Sequence, residues 1–300
     1  MLDAPQAGAE RSLDHMLDAS PLVIERLREH TSSLTGVDSG DYRDARAEAR
    51  QRFADRLHAL VASEGDELLV PERRELGGFG YELGGELYNL ETLKFFECLI
   101  ALQRGGILRP LRDRPAVVCE IGADWGGFAY QFKSLCPKAA YVIIDLPERL
   151  LFSAVYLMTL FPEARVRFWE QQTSGELLSS LEEVDFVFIP AAALDSMRPA
   201  HLDLALNVDE TTAPIEAYVK RAHELGCPYF FTLNRDRVPR LAQYYWLHPV
   251  PVLDLPYHPL VSPPLKGKLG RGAQVVRGRL DEQATQNEHE HVVGWRRAEP

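Results

Sequence analysis

Two acids a strand apart, Glu120 and Asp145, with glycines between them, are the residues in this chain most suited to binding chemistry. The run Glu120-Ile121-Gly122-Ala123-Asp124-Trp125-Gly126-Gly127 closes a short apolar stretch and opens a helix-like segment. Phe128, Phe132 and Leu135 share one face of that segment. Tyr141-Val142-Ile143-Ile144 then ends in Asp145. Strand, glycine turn, helix, strand and acid outline a nucleotide-binding unit. Backbone N–H groups at such a turn can hold an anionic group, and the second acid can accept hydrogen bonds from ribose hydroxyls. An adenosine-type cofactor is the chemistry implied. Each acid also has a structural use, since Glu120 can brace its own turn and Asp145 can cap a helix beginning at Pro147.

Two cofactors suit a glycine turn followed by an acid. A dinucleotide asks for G-x-G-x-x-G, so that the backbone can approach a pyrophosphate. Here Asp124 holds the middle position, where a carboxylate repels a diphosphate. A cationic sulfonium ligand tolerates Glu120 and Asp124 far better. Electrostatics therefore favour S-adenosylmethionine over an NAD-type cofactor.

The elements that must position these residues change character along the chain. Residues 1–112 are helical and polar, with one helix expected over Val23 to Leu34, another over Ala47 to Ser63 and a third over Glu91 to Gln103. Asn89 reads as the cap of the third, and Gly105-Gly106 as its stop. Gly77 to Gly85 reads as a flexible, glycine-rich loop, equally a ligand cover or a surface connection. From residue 113 to 300 apolar runs alternate with amphipathic ones. Strands are expected over Val117 to Ile121, Tyr141 to Ile144, Val166 to Trp169, Asp185 to Ile189, Leu202 to Leu206 and Tyr229 to Leu233. Two late runs, Gln274 to Arg277 and His291 to Trp295, suit an antiparallel pair. The fold class is α/β, a largely parallel sheet covered on both faces, with ligands outside the carboxyl ends of the strands.

Composition narrows the class further. Hydrophobic residues make up 46% and the net charge is −11. An acidic chain argues against nucleic acid as a partner. No apolar run approaches membrane-spanning length, and the N-terminus lacks a signal-peptide pattern, so a cytoplasmic protein is expected. The four cysteines form no CxxC pair, which favours reduced thiols over a zinc cluster or disulfide framework. Self-association into a homo-oligomer is compatible with all of this.

A family resemblance rests on four stretches: Glu120-Ile121-Gly122-x-x-x-Gly126-Gly127, Tyr141 to Glu148, Leu202 to Asp209, and Leu233-Asn234-Arg235. Together they resemble the class I S-adenosylmethionine-dependent methyltransferases. More narrowly they resemble the sugar O-methyltransferases of bacterial polysaccharide and natural-product pathways. The resemblance spans residues 70–240. It implies a Rossmann-like seven-stranded sheet whose last strand is antiparallel, over residues 113–300, with residues 1–112 as a helical lid. It places Glu120, Gly122, Ala123 and Gly126 at the methionine end of the cofactor, Asp145 on the ribose, Leu146 beside the adenine and Asn207 near the methyl donor. Two departures stand out. Asp124 occupies the middle glycine of the usual E-x-G-x-G-x-G turn, and Asp209-Glu210-Thr211-Thr212 follows Asn207 where the family often has a serine and then Glu-Met.

The implied reaction is methyl transfer to a hydroxyl of a sugar or glycosylated acceptor. Such a hydroxyl needs a general base or a metal. Asp209, Glu210 and His201 are the expected catalytic candidates, although Asp209 and Glu210 equally suit the start of the helix at Pro214. Asn89, Tyr245 and His248 are the expected acceptor contacts, the last two from Tyr244-Tyr245-Trp246-Leu247-His248. A divalent ion on Asp209 and Glu210 lacks a third placed ligand, so no metal site is assigned. The alternative functions are a cyclase or an S-adenosylmethionine-binding regulatory module on the same fold and, ranked after these, an NAD-type oxidoreductase.

Overall fold

Val117 to Ile121 and Ala139 to Ile144 are apolar at almost every position, the pattern of strands covered on both faces rather than one. The computed structural model describes residues 20–43, 47–170, 178, 181, 183–208 and 215–233, with the backbone of 244–247 and 292–296. Its strands are β1 (Tyr81–Leu83), β2 (Glu86–Tyr88), β3 (Ala116–Ile121), β4 (Ala139–Asp145), β5 (Val166–Phe168), β6 (Phe186–Pro190), β7 (Leu204–Asn207), β8 (Tyr229–Thr232), β9 (Tyr244–Leu247) and β10 (Val292–Arg296). The principal helices are α1 (Ala47–Glu64), α2 (Leu90–Arg104), α3 (Leu108–Arg112), α4 (Gly127–Leu135), α5 (Pro147–Leu160) and α6 (Ile215–Glu224).

The main sheet runs β5-β6-β4-β3-β7-β8-β10-β9. The six strands from β5 to β8 are parallel, and β10 lies antiparallel to both β8 and β9. The chain leaves β3 for β4 on one side and returns to β7 on the other. That reversal makes the carboxyl ends of β3 and β7 the switch point, where open sheets of this kind form a crevice.

Strand alternation divides the core into two layers. Val118, Tyr141, Ile143, Phe186 and Phe188 face α2, α4 and α5, whereas Val117, Cys119, Val142 and Val187 face α6. The first layer also takes in Leu27, Phe53, Leu57 and Leu60 from the N-terminal region. The described part of residues 1–112 therefore shares one core with the sheet and has none of its own across the expected boundary at 112. In α2, even Glu91, Thr92 and Glu97 are buried.

Four expectations change. The sheet has eight strands among the described residues rather than seven; β5 is among the expected strands, and β9 at the far end is not. β10 pairs with β8 and β9, while 274–277 lies outside the described residues. The helix expected over Val23 to Leu34 is broken into Pro21–Ile24, a 3₁₀ turn at Leu27–Thr31 and Ser32–Thr35. The 3₁₀ turn buries Leu27, Arg28 and Thr31. The glycine-rich loop contains a hairpin, β1–β2, closed by Gly84-Gly85 with φ of 63° and 89°. Positive φ at both turn residues is what a two-residue hairpin needs.

Candidate functional site

The turn between β3 and α4 is held by its own backbone. Gly122 N–H donates to the Ile144 carbonyl at 2.9 Å, and Gly126 N–H donates to the Ala123 carbonyl at 2.8 Å. Asp124 has φ of 51°. That is the left-handed conformation a glycine would adopt, and aspartate is among the few other residues that tolerate it. The departure from the usual turn is thus one of side chain, and the backbone shape is kept. Gly126 has φ of 85°, and a Cβ there would lie 3.1 Å from Ser153 Cβ and 3.2 Å from Leu157 Cδ1. The turn and α5 pack tightly there, and the positive φ favours glycine.

Asp145 ends β4 against this turn. Its Oδ2 accepts from Asp124 N–H at 2.8 Å, and its Oδ1 accepts from Leu146 N–H at 2.7 Å. Both acids expected to bind ligand are nearly inaccessible, Glu120 at 1% and Asp145 at 4% exposure. Burial pushes the Glu120 carboxyl up to about 8; Asp145 and Asp124 add to this, while the Tyr141 hydroxyl and Lys94 oppose it. The Tyr141 hydroxyl donates to Glu120 Oε2 at 2.8 Å. Burial likewise pushes Asp145 up to about 8, reinforced by Asp124 and opposed by Arg149 and the two backbone amides. Arg149, on the first turn of α5, pairs with Asp124 Oδ1 at 2.8 Å. Three carboxyls therefore crowd one turn, and the nearby cations do not restore two of them to ordinary acidity. A ligand bringing hydroxyl donors or positive charge relieves that shortage; a diphosphate deepens it.

Asn207 sits at the other side of the switch point. Its Nδ2 donates to the Ile121 carbonyl at 3.2 Å, and its Oδ1 accepts from Thr232 Oγ1 at 3.3 Å. It ties the carboxyl ends of β3, β7 and β8 together. Glu120, Gly122, Ala123, Gly126, Asp145, Leu146 and Asn207 are thus brought to one edge, with Leu146 partly exposed.

Other expected residues are not brought there. His201 precedes β7 and so lies at the amino edge of the sheet, opposite the site. Its Nε2 is 3.6 Å from Asp203 Oδ2, and Asp203 N–H bonds the Val117 carbonyl near the start of β3. A base at that edge cannot reach the turn. Asn89 is fully buried as the cap of α2, and no part of it is left for an acceptor. Its Oδ1 accepts from Glu91 N–H and Thr92 N–H, and its Nδ2 donates to Glu72 Oε2 and the Phe79 carbonyl. Tyr245 lies on β9, separated from β3 by β7, β8 and β10. Asp209, Glu210 and His248 lie outside the described residues. Among the described residues no group of three or more His, Cys, Asp or Glu side chains is placed to hold a metal ion. No described helix is long and apolar enough to cross a membrane.

A second cluster, behind the turn, has no signal in the spacing of its residues. Arg28, fully buried, donates to Glu72 through Nε at 2.9 Å and Nη2 at 3.1 Å, to Glu91 Oε2 at 3.1 Å and to Thr31 Oγ1 at 2.5 Å. Its guanidinium lies 3.4 Å from the centre of the Trp125 ring, and Trp125 Nε1–H donates to Glu91 Oε1 at 2.9 Å. Burial works against the arginine's charge, but Glu72 and Glu91 outweigh it and raise its pKa further. Arginine paired with distant glutamates leaves no local spacing to read.

No protein-family model matches the chain, and no curated protein matches it in sequence. Solved structures share part of its path. A precorrin-6y C5,15-methyltransferase from Geobacter metallireducens is 14% identical over 48% of this chain and 72% of its own, with a TM-score of 0.33. The phosphoethanolamine N-methyltransferase 2 of Haemonchus contortus, in complex with S-adenosyl-L-methionine, is 13% identical over 46% of this chain and 31% of its own, with a TM-score of 0.29. The bifunctional kinase-methyltransferase WbdD is 14% identical over 59% of this chain and 34% of its own, with a TM-score of 0.32.

Proposed function

We propose that this chain is an S-adenosylmethionine-dependent O-methyltransferase acting on a hydroxyl of a sugar or glycosylated metabolite. One observation carries the cofactor assignment: two buried carboxyls, Glu120 and Asp145, flank a tight turn at the switch point and are short of positive charge. A sulfonium ligand with an ammonium group and ribose hydroxyls supplies what they lack. The same shortage speaks against a dinucleotide. The acceptor class rests on the sequence resemblance.

Bound at this edge, S-adenosylmethionine would supply an electrophilic methyl group. The chain's own task is to align and to desolvate. Gly122, Ala123 and Gly126 offer backbone to the methionine end, Asp145, oriented by its two amide bonds, accepts from ribose hydroxyls through its remaining lone pairs, and Leu146 covers the adenine. Asn207 holds the strands at the spacing the crevice requires. The base that takes the acceptor's proton is assigned to Asp209 or Glu210, two and three residues after Asn207.

Calorimetric titration of the folded protein with S-adenosylhomocysteine tests the cofactor; absence of binding refutes it. Turnover of a hydroxyl-acceptor panel tests the reaction. Binding without methyl release across that panel would instead support a non-methylating module.

A further inference from the structure

We propose that Arg28 and Trp125 form a positioning pair that sets the shape of the Gly122–Gly127 turn, making the 27–31 segment a working part of the ligand site. That this turn holds a ligand rests on the function proposed above; the mechanical claim does not.

The indole is held in two independent ways. Its edge is fixed by the bond from Nε1–H to Glu91 Oε1, and its face by the Arg28 guanidinium at 3.4 Å. Glu91 is the shared hub, because its other oxygen accepts from Arg28. The hub is itself anchored, for Glu91 lies in the first turn of α2, whose cap Asn89 bonds Glu72, the second partner of Arg28. Tyr156 closes the remaining side of the ring, edge-on at 4.8 Å.

This rigidity is passed directly to the site. Trp125 stands between Asp124, whose N–H bonds Asp145, and Gly126, which packs against Ser153 and Leu157 of α5 and whose N–H bonds the Ala123 carbonyl. A tilt of the indole therefore displaces the amide that orients the ribose-binding carboxylate. Burying an arginine and two glutamates is costly unless their bonds are made, and here each of the four carboxylate oxygens accepts at least one. Ordinary apolar packing would have filled the same space without fixing the ring's rotation.

The test uses the full chain with Arg28→Lys, which keeps the charge but loses the planar fork, and Trp125→Phe, which keeps a ring but loses the N–H. Hydrogen exchange is followed at three hydrogen-bonded amides of the turn: Gly122 and Asp124, which bond Ile144 and Asp145, and Gly126, which bonds Ala123. Both variants are expected to exchange there ~10-fold faster or more, with β4 and β6 unchanged. Wild-type exchange at these amides, or faster exchange spread evenly over the sheet, would overturn the proposal. If Arg28→Lys does not fold, Trp125→Phe decides alone. Titration with S-adenosylhomocysteine separates the two claims. No binding by wild type, with loosening confined to the turn, sinks the cofactor and leaves the positioning pair. Wild-type affinity in a loosened variant sinks the link between them.

Discussion

Two buried acidic clusters lie on opposite sides of the same turn and are built on opposite plans. Behind it, Glu72 and Glu91 share Arg28, Asn89 and the Trp125 N–H, so every carboxylate oxygen has a donor. In front of it, Glu120, Asp124 and Asp145 share less: Arg149 serves Asp124, while burial leaves Glu120 and Asp145 reluctant to ionise. The rear cluster is complete without a ligand and works as a fastening. The front cluster is the one assigned a ligand in the proposed function. Buried acids by themselves mark neither structure nor function; the balance of donors around them does.

Removing Arg28 attacks the complete cluster. Arg28→Ala leaves two buried glutamates without their cation and is expected to cost ~3–5 kcal/mol in chemical denaturation. A loss below ~1 kcal/mol would show that the rear cluster is not the fastening described. Asp145→Asn attacks the incomplete one. On the proposed function it removes an acceptor for ribose hydroxyls, so S-adenosylhomocysteine affinity should fall ~10-fold or more on calorimetry of folded protein. Unchanged affinity would remove Asp145 from the site.

A pH series sharpens the contrast. Glu120 and Asp145 hold their protons to about 8 when folded. Unfolded, they release them near ~4. Between those limits the native state binds more protons than the unfolded one, so stability falls as pH rises from ~4 to ~8. The loss is absent below ~4 and complete above ~8. Glu120→Gln should flatten this slope in ligand-free protein and recover ~1 kcal/mol at pH 8, read from melts at pH 6 and 8. An equal slope in wild type and variant would mean that Glu120 is ionised in the fold. The smallest effect is expected at the far edge. His201→Ala should change stability by less than ~0.5 kcal/mol and leave ligand affinity intact, a result that calorimetry can overturn.

How much of this was legible beforehand follows the range of the interactions. Period and punctuation revealed β3, β4, β6 and β8, the helices at Ala47, Leu90 and Pro147, and the glycine turn, since each is written in neighbouring residues. Asn89 was readable as a cap for the same reason, and its further use as an acceptor contact failed because a completed cap has no spare polar atoms. His201 was misplaced through an edge error: a residue just before a parallel strand lies opposite the strand's carboxyl end. The hairpin at Gly84-Gly85 was hidden in a loop whose strands are only three residues each.

What the residues alone determined is the alternation of strand and helix, the left-turning glycine corner and the pairing of Glu120 with Asp145 across one crossover. These depend on local backbone preference and on apolar period, which a linear chain displays. Only the tertiary structure decided which acids are compensated. That depends on donors arriving from 34 or 63 residues away, such as Trp125 on Glu91 and Arg28 on the same carboxylate. Charge balance in a buried site is a property of three-dimensional neighbours, and no spacing along the chain encodes it.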